Sequence, residues 1–312
     1  MTQLLARKTV ILAKIETTYG TDSTPTGAAN AMVVRNLSLS PLQATRVSRD
    51  IVRDYLGNSE QLIGSQSVEL SFEVEIAGAG AAGTAPKYSP LLRACGLSET
   101  INASVSVVYQ PVSSGFEGVT LYYNLNGRRH KLTGARGSVS LKMAIDQLPV
   151  FAFKFVGQYN TPADAAEASV AYTGWQVPAI VTNTNTTSLS FHGYAGALMS
   201  DLSIDLANDV QFRPVVGAAS AVLITNRSPS GSITLDSDLV ASWDPWTKIS
   251  AGTLSTLSVT QGTVAGNKVQ IDAPKVQIGN PTIGDRLGIS TEQFPLTLMA
   301  STANDELVIT VK

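Results

Sequence analysis

Few side chains in this sequence could carry chemistry, and their spacing argues against catalysis. Histidine occurs only at His130 and His192, and neither has a nearby Cys, His or close carboxylate; a metal site takes three or four such ligands. His130 lies in Gly127-Arg128-Arg129-His130-Lys131, which reads as a basic surface turn or strand start. His192 follows Phe191 within a strand, where a surface or inter-subunit position is expected. Cys95 is the single cysteine. It follows apolar residues on a short helix and reads as a small buried hydrophobe, not a nucleophile. The run Gly78-Ala79-Gly80-Ala81-Ala82-Gly83 has neither the Lys-Ser/Thr of a phosphate loop nor the spaced glycines of a dinucleotide turn. Glu69, Glu73 and Glu75 could serve acid–base work. On one strand they point the same way, which makes an acidic face more naturally than an opposed catalytic pair. Trp175, Trp243 and Trp246 could form a sugar-stacking platform, but the last two flank a short helix at a spacing that suits packing on a sheet. The expectation is a protein that is not an enzyme, with no catalytic, cofactor-binding or metal-binding residues.

The elements that would carry these residues are strands. Val68, Leu70, Phe72, Val74 and Ile76 alternate with Glu69, Ser71, Glu73 and Glu75, and Ile233, Leu235 and Leu239 alternate with Ser232, Thr234, Asp236 and Asp238. Period two gives each stretch one apolar and one acid-rich face. Met32–Leu39, Val119–Leu125, Val139–Met143, Val150–Val156, Ser188–Tyr194, Leu254–Val259, Val269–Ile271, Leu296–Met299 and Leu307–Val311 read as further strands. Ser89-Pro90 and Asp244-Pro245 each set a capping side chain before proline and open two short helices; the first is expected to stop at Gly96. Between Leu39 and Gly64 lies a polar segment with Arg46, Arg49, Asp50, Arg53, Asp54 and Glu60, long enough to be a projecting hairpin or a functional loop. Its counterpart, Asn208–Ser228, carries Arg213 and Arg227. Pro162–Ala171 reads as a helical turn or a linker.

The bulk numbers fit this picture. The chain has 312 residues, 44% hydrophobic and only 15% charged, against roughly 25% charged in an average globular protein. Low charge suits a surface largely covered by copies of itself. A net charge of −2 and a pI near 5.7 argue against an electrostatic nucleic-acid binder. No run approaches the length of a membrane-spanning helix, and the N-terminus reads as mature sequence of a protein kept in a reducing cytoplasm.

Two stretches share one separation. Leu37-Ser38-Leu39 and the strand at Val68–Ile76 recur 165 positions later as Leu202-Ser203-Ile204 and Ile233–Val240. Ser89-Pro90-Leu91-Leu92 is echoed by Asp244-Pro245-Trp246-Thr247, and Gln147-Leu148-Pro149 by Gln293-Phe294-Pro295, in the same order. An internal duplication is expected, with domains at 1–165 (including an N-terminal arm) and 175–312, the second diverged.

Three segments resemble a known family. Ile11-Leu12-Ala13-Lys14-Ile15-Glu16-Thr17-Thr18-Tyr19-Gly20-Thr21-Asp22 followed by Pro25-Thr26 is similar to the opening of siphophage tail tube (major tail) proteins. Ser89–Gly96 resembles their flanking helix. Lys131–Gly137 with Leu148-Pro149 and Phe151–Gly157 resembles their closing strands. The resemblance implies an all-β fold of two tandem β-sandwich or barrel domains, each with a short flanking helix and a projecting loop. It implies rings that stack into a hollow tube for DNA ejection. Partners would be further copies of itself and other tail proteins such as the tape measure, terminator and distal tail proteins. DNA would pass without specific binding, no membrane would be involved, and no cofactor is expected. The subunit would reside in the virion tail after assembly in the host cytoplasm. Most relatives close rings of six single domains, so a duplicated chain points to a trimer with pseudo-sixfold symmetry, each edge strand paired by a neighbour. Glu69, Glu73, Glu75, Asp236 and Asp238 are expected to face the lumen. Arg46, Arg49, Asp50, Arg53 and Asp54 are expected in an inter-ring or inter-subunit loop. The rivals are a virion-surface β-sandwich that binds a receptor or carbohydrate, a capsid decoration protein, and a β-sandwich hydrolase, for which two unsupported histidines are poor material.

Overall fold

A computed structural model of the chain describes residues 3–194 and 196–312. In chain order the first half forms β1 (Thr9–Ile15), a single turn α1 (Gly27–Asn30), β2 (Ala31–Met32), β3 (Arg35–Ser48), β4 (Gln61–Glu75), α2 (Ser89–Ala94), β5 (Leu97–Asn102), β6 (Ser106–Pro111), β7 (Val119–Leu125), β8 (Arg128–Ala144), β9 (Val150–Tyr159) and β10 (Ala163–Asp164). The second forms β11 (Thr186–Phe191), β12 (Met199–Asp205), β13 (Asn208–Arg213), β14 (Ala221–Arg227), β15 (Ser230–Asp236), α3 (Pro245–Ser250), β16 (Leu254–Gln261), β17 (Val269–Ile278), β18 (Thr282–Arg286), β19 (Ile289–Met299) and β20 (Val308–Val311). The fold is all-β and every strand pairing is antiparallel.

Strand order repeats along the chain. In the first half the ladders run β3-β4-β9-β8-β7-β1. In the second they run β12-β15-β19-β17-β16-β11. Each order carries its short helix between the strand in second place and the strand in fifth. Two ladders join the halves. The end of β8 pairs with β12, from Asp201 opposite Ala144 to Asp205 opposite Ser140, and β20 pairs with β6 from Ile309 opposite Tyr109 to Val311 opposite Val107.

Alternation along the strands builds the core. Val68, Leu70, Phe72 and Val74 of β4 are buried. They join Ile11 of β1, Leu121 of β7, Leu91 and Leu92 of α2 and the β9 phenylalanines in one cluster that continues into the second half. Phe72 and Phe155 have ring centroids 5.9 Å apart, and Phe153 and Phe155 5.8 Å. Each such side chain removed from water contributes about 1.5–3 kcal/mol.

Several local expectations are corrected. The strand read over Met32–Leu39 breaks at Val33-Val34 and restarts as β3. Ser89 does not cap α2, because the helix begins at Ser89 itself after Tyr88; its hydroxyl donates to the Glu99 carboxylate. Asp244 does cap α3, accepting from the Thr247 amide at 3.0 Å. His192 is buried at 2% exposure, not at a surface. It adopts φ +50, and Nε2 donates to the Val276 carbonyl at 2.8 Å. Pro162–Ala171 contains β10 in place of a helical turn. The shared offset of 165 holds for one strand at a time: Leu39 faces Leu70, whereas Ile204 faces Gly231, four positions short of the counterpart of Leu70.

Candidate assembly surfaces

The polar segment after Leu39 extends a hairpin. β3 runs to Ser48 and β4 starts at Gln61, so of the two alternatives, projecting hairpin or functional loop, the stretch is the hairpin, and only residues 49–60 form its tip. Arg46 lies on β3 opposite Ile63. At the tip Arg49 pairs with Glu60, and the Arg53 guanidinium lies 5.5 Å from the Tyr55 ring centroid. Asp50 and Asp54 are exposed on the same tip. Val52 and Leu56 are fully in water beside them, at 96% and 102% exposure. Exposed apolar residues flank this arm on both strands, at Leu42, Val47, Leu62 and Ile63. The arm thus holds apolar side chains in water with no core beneath them, and contiguous exposed apolar patches are uncommon on monomeric proteins.

A second surface is the polar side of the long sheet. Glu69, Glu73 and Glu75 alternate with the buried residues of β4. Ladder rows connect Ser38 to Ser71, Lys154 and Ser138, and connect Lys142 to Ser203, Ser232 and Pro295. This places Asp236 of β15 on the same face as the β4 glutamates. The face is not purely acidic. Lys154 lies 3.7 Å from Glu69, and Arg35 lies 3.3 Å from Glu73. Asp238 does not share the face. β15 ends at Asp236, and Asp238 sits in the turn that follows, where it accepts from the Tyr194 hydroxyl at 2.8 Å. The hydrogen bonds from Tyr194 and the Leu239 amide hold the Asp238 carboxyl below the usual range, while burial and the neighbouring carboxylate push Tyr194 up to about 12. The expected alternation fails there because Leu239 and Val240 point into water, at 74% and 56% exposure.

No sugar platform forms. Trp243 is buried and stacks on Tyr194, with centroids 5.0 Å apart and planes at 10°, while Trp246 is exposed and Trp175 donates to the Ala31 carbonyl at 3.2 Å. Among the described residues no cluster of three or more His, Cys, Asp or Glu could hold a metal ion, and no helix is long and apolar enough to cross a membrane.

A family model described as phage tail tube protein matches residues 6–297 of this sequence. The chain belongs to that family. A search of curated proteins finds no match to it. As a phage tail tube protein it is a structural component of the virion tail, in keeping with its all-β fold and the resemblance carried by its first 160 residues. The opening motif of this tail tube protein explains itself in the structure. Glu16 is buried, and its carboxylate accepts from the amides of Gly20 and Gly134, both at 2.7 Å, and from the Thr120 hydroxyl at 2.8 Å. The tail tube protein also has a joint that strand-by-strand reading missed: Leu141 and Met143 of β8 lie beside Leu202 and Ile204 of β12, all four buried. Their matching alternation was the available signal. Arg227 faces no solvent loop, because it pairs with Glu306 and donates to the Val112 carbonyl at 2.6 Å, clamping the halves together.

Proposed function

We propose that the chain is two tail-tube modules, residues 1–165 and 175–312, and that three copies close a ring of pseudo-sixfold symmetry. Such rings, formed in the host cytoplasm and stacked, make the channel through which DNA is ejected. The observation that carries this reading is the repeated strand order, β3-β4-β9-β8-β7-β1 and β12-β15-β19-β17-β16-β11, each with its helix in the same place. A chain holding two modules fills six positions with three copies.

Within the ring, the face carrying Glu69, Glu73, Glu75 and Asp236 lines the bore, and Asp238 lies at its margin. Duplex DNA carries roughly one negative charge per 1.7 Å of axis, so a wall of cations would hold it. Carboxylates interspersed with Lys154 and Arg35 discourage sticking, over a range limited by a Debye length of about 8 Å. The arm bearing Arg46, Arg49, Asp50, Arg53 and Asp54 contacts the neighbouring subunit or ring, covering Val52 and Leu56. The ends of the tube meet the other tail proteins.

Electron cryomicroscopy of the purified protein tests this. Hollow tubes with three chains per ring are expected. Six chains per ring would overturn the trimer, and discrete particles would favour a surface-binding or decoration role.

A further inference from the structure

Inside one chain, the edge of β8 is shared by two partners. Arg128–Ala135 pairs with β7, and Ser140–Ala144 then pairs with β12. The counterpart of β8 in the second half is β17 continued by β18. β17 pairs with β16, and after the break at Gly279-Asn280-Pro281 β18 resumes the ladder with β19. Where β8 meets β12, however, β18 has no partner among the described residues; its other edge is open. The counterpart of β12 is β3. β12 lies between β15 and β8, whereas among the described residues β3 has β4 on one side and no strand on the other. Each chain therefore carries one open edge of each kind that its own internal joint has closed.

We infer that β18 of one copy pairs antiparallel with β3 of the next, repeating between subunits the β8–β12 joint within the subunit. This rests on the ring reading above and specifies how the ring closes. The ladders fix the register. Ser38 leads across the sheet to Ser71 and Lys154, and four residues before Lys154, Val150 faces Lys142. Ser203 leads to Ser232 and Pro295, and four residues before Pro295, Thr291 faces Gly284. Lys142 and Gly284 thus occupy equivalent places. Since Ser203 faces Lys142 within the chain, Ser38 faces Gly284 of the next copy.

Two features agree with that register, and a third concerns the open edge itself. Leu39 then meets Ile283 as Ile204 meets Leu141, which covers an isoleucine that is 66% exposed on an otherwise polar strand. β18 spans Thr282–Arg286 and would meet Asn36–Ser40, a seam as long as the internal one. It ends at Pro41, which has no amide hydrogen to extend the ladder. Finally, β18 carries no lysine, proline or bulge at its open edge, and its charges are confined to Asp285 and Arg286. The two-residue turn Leu287-Gly288, with φ of +55 and +83, makes Arg286 and Ile289 a hydrogen-bonded pair, so the backbone groups of Ile283 and Asp285 point outward.

Paired cysteines test the register. Ser38→Cys with Gly284→Cys in one chain, oxidised after assembly, should give covalent dimers and trimers on a denaturing gel. A Cβ at Gly284 would approach only the Thr291 hydroxyl, at 3.1 Å. The off-register pair Ser38→Cys with Thr282→Cys should give at least about tenfold less, because disulfide geometry tolerates little displacement. Ile283→Pro removes an outward donor and leaves the β18–β19 ladder intact. It should stay monomeric in sedimentation, with the parent circular dichroism. Tubes that form while the in-register pair fails to cross-link, or Ile283→Pro assembling like the parent, would overturn the seam and leave the ring reading standing. A parent protein that forms no rings would overturn both.

Discussion

The Glu16 carboxylate accepts a hydrogen bond from the Gly134 amide at 2.7 Å, tying the segment after β1 to the middle of β8. The same carboxylate holds Gly20 and Thr120, so it acts as a buried fastening between three segments. Glu16→Leu takes the acceptor from two buried donors, the Gly134 amide and the Thr120 hydroxyl, each worth about 1–3 kcal/mol, and from the half-buried Gly20 amide. We expect a loss of at least about 2 kcal/mol in urea unfolding, with Glu16→Gln retaining part of it. Gly134 adopts φ +56, and a Cβ there would lie 2.9 Å from the Tyr19 ring, so Gly134→Ala should also lower the midpoint. Unchanged midpoints in both variants would remove this role.

Stability should fall with acid through His192. Burial lowers its pKa below the ordinary histidine value, so the native state stays neutral while the unfolded chain takes up a proton. The contribution is absent above the unfolded value of about 6.5 and becomes a penalty as pH falls below it, at up to about 1.4 kcal/mol per unit. Urea midpoints measured between pH 7 and 5 should decline, and less steeply in His192→Gln. Parallel slopes would show that His192 titrates as freely in the native state.

Trp243 and Trp246 should behave differently despite their spacing. Trp243 packs among Phe191, Tyr194 and Phe294, so Trp243→Ala should cost about 3–5 kcal/mol. Trp246 is 43% exposed, and Trp246→Ala should cost far less. Thermal unfolding of the two variants decides it.

Removing residues 49–58 should leave the β3–β4 ladder below it intact and the subunit folded, because those residues contribute nothing to the core. The shortened protein is expected to lose stacking. Tubes of normal length from the deletion would assign the arm no assembly role.

Replacing Glu69, Glu73 and Asp236 with lysine should make assembled tubes retain DNA. Retention should weaken steeply with salt, as counterion release requires. Tubes whose DNA retention is unchanged would place this face away from the bore.

The sequence by itself determined what depends on near neighbours. Alternation at Val68–Ile76 set the core face of β4, because successive side chains on a strand point to opposite sides. Asp244-Pro245 marked the start of α3, and Gly96 the end of α2, since capping and positive φ are properties of one or two residues. The family motifs were equally legible. Tertiary structure alone decided which strands meet. The alternation around Lys142 matches that around Ser203 but does not select it among the other alternating strands, nor does Tyr109 point to Ile309, because a ladder is chosen by the burial both strands achieve together. His192 reads as an exposed polar residue until Val276 supplies its acceptor. Asp238 continues the β15 pattern until the Tyr194 hydroxyl captures it in a turn. In each case the deciding group comes from a distant part of the chain, and long-range contacts exist only once the whole core has formed.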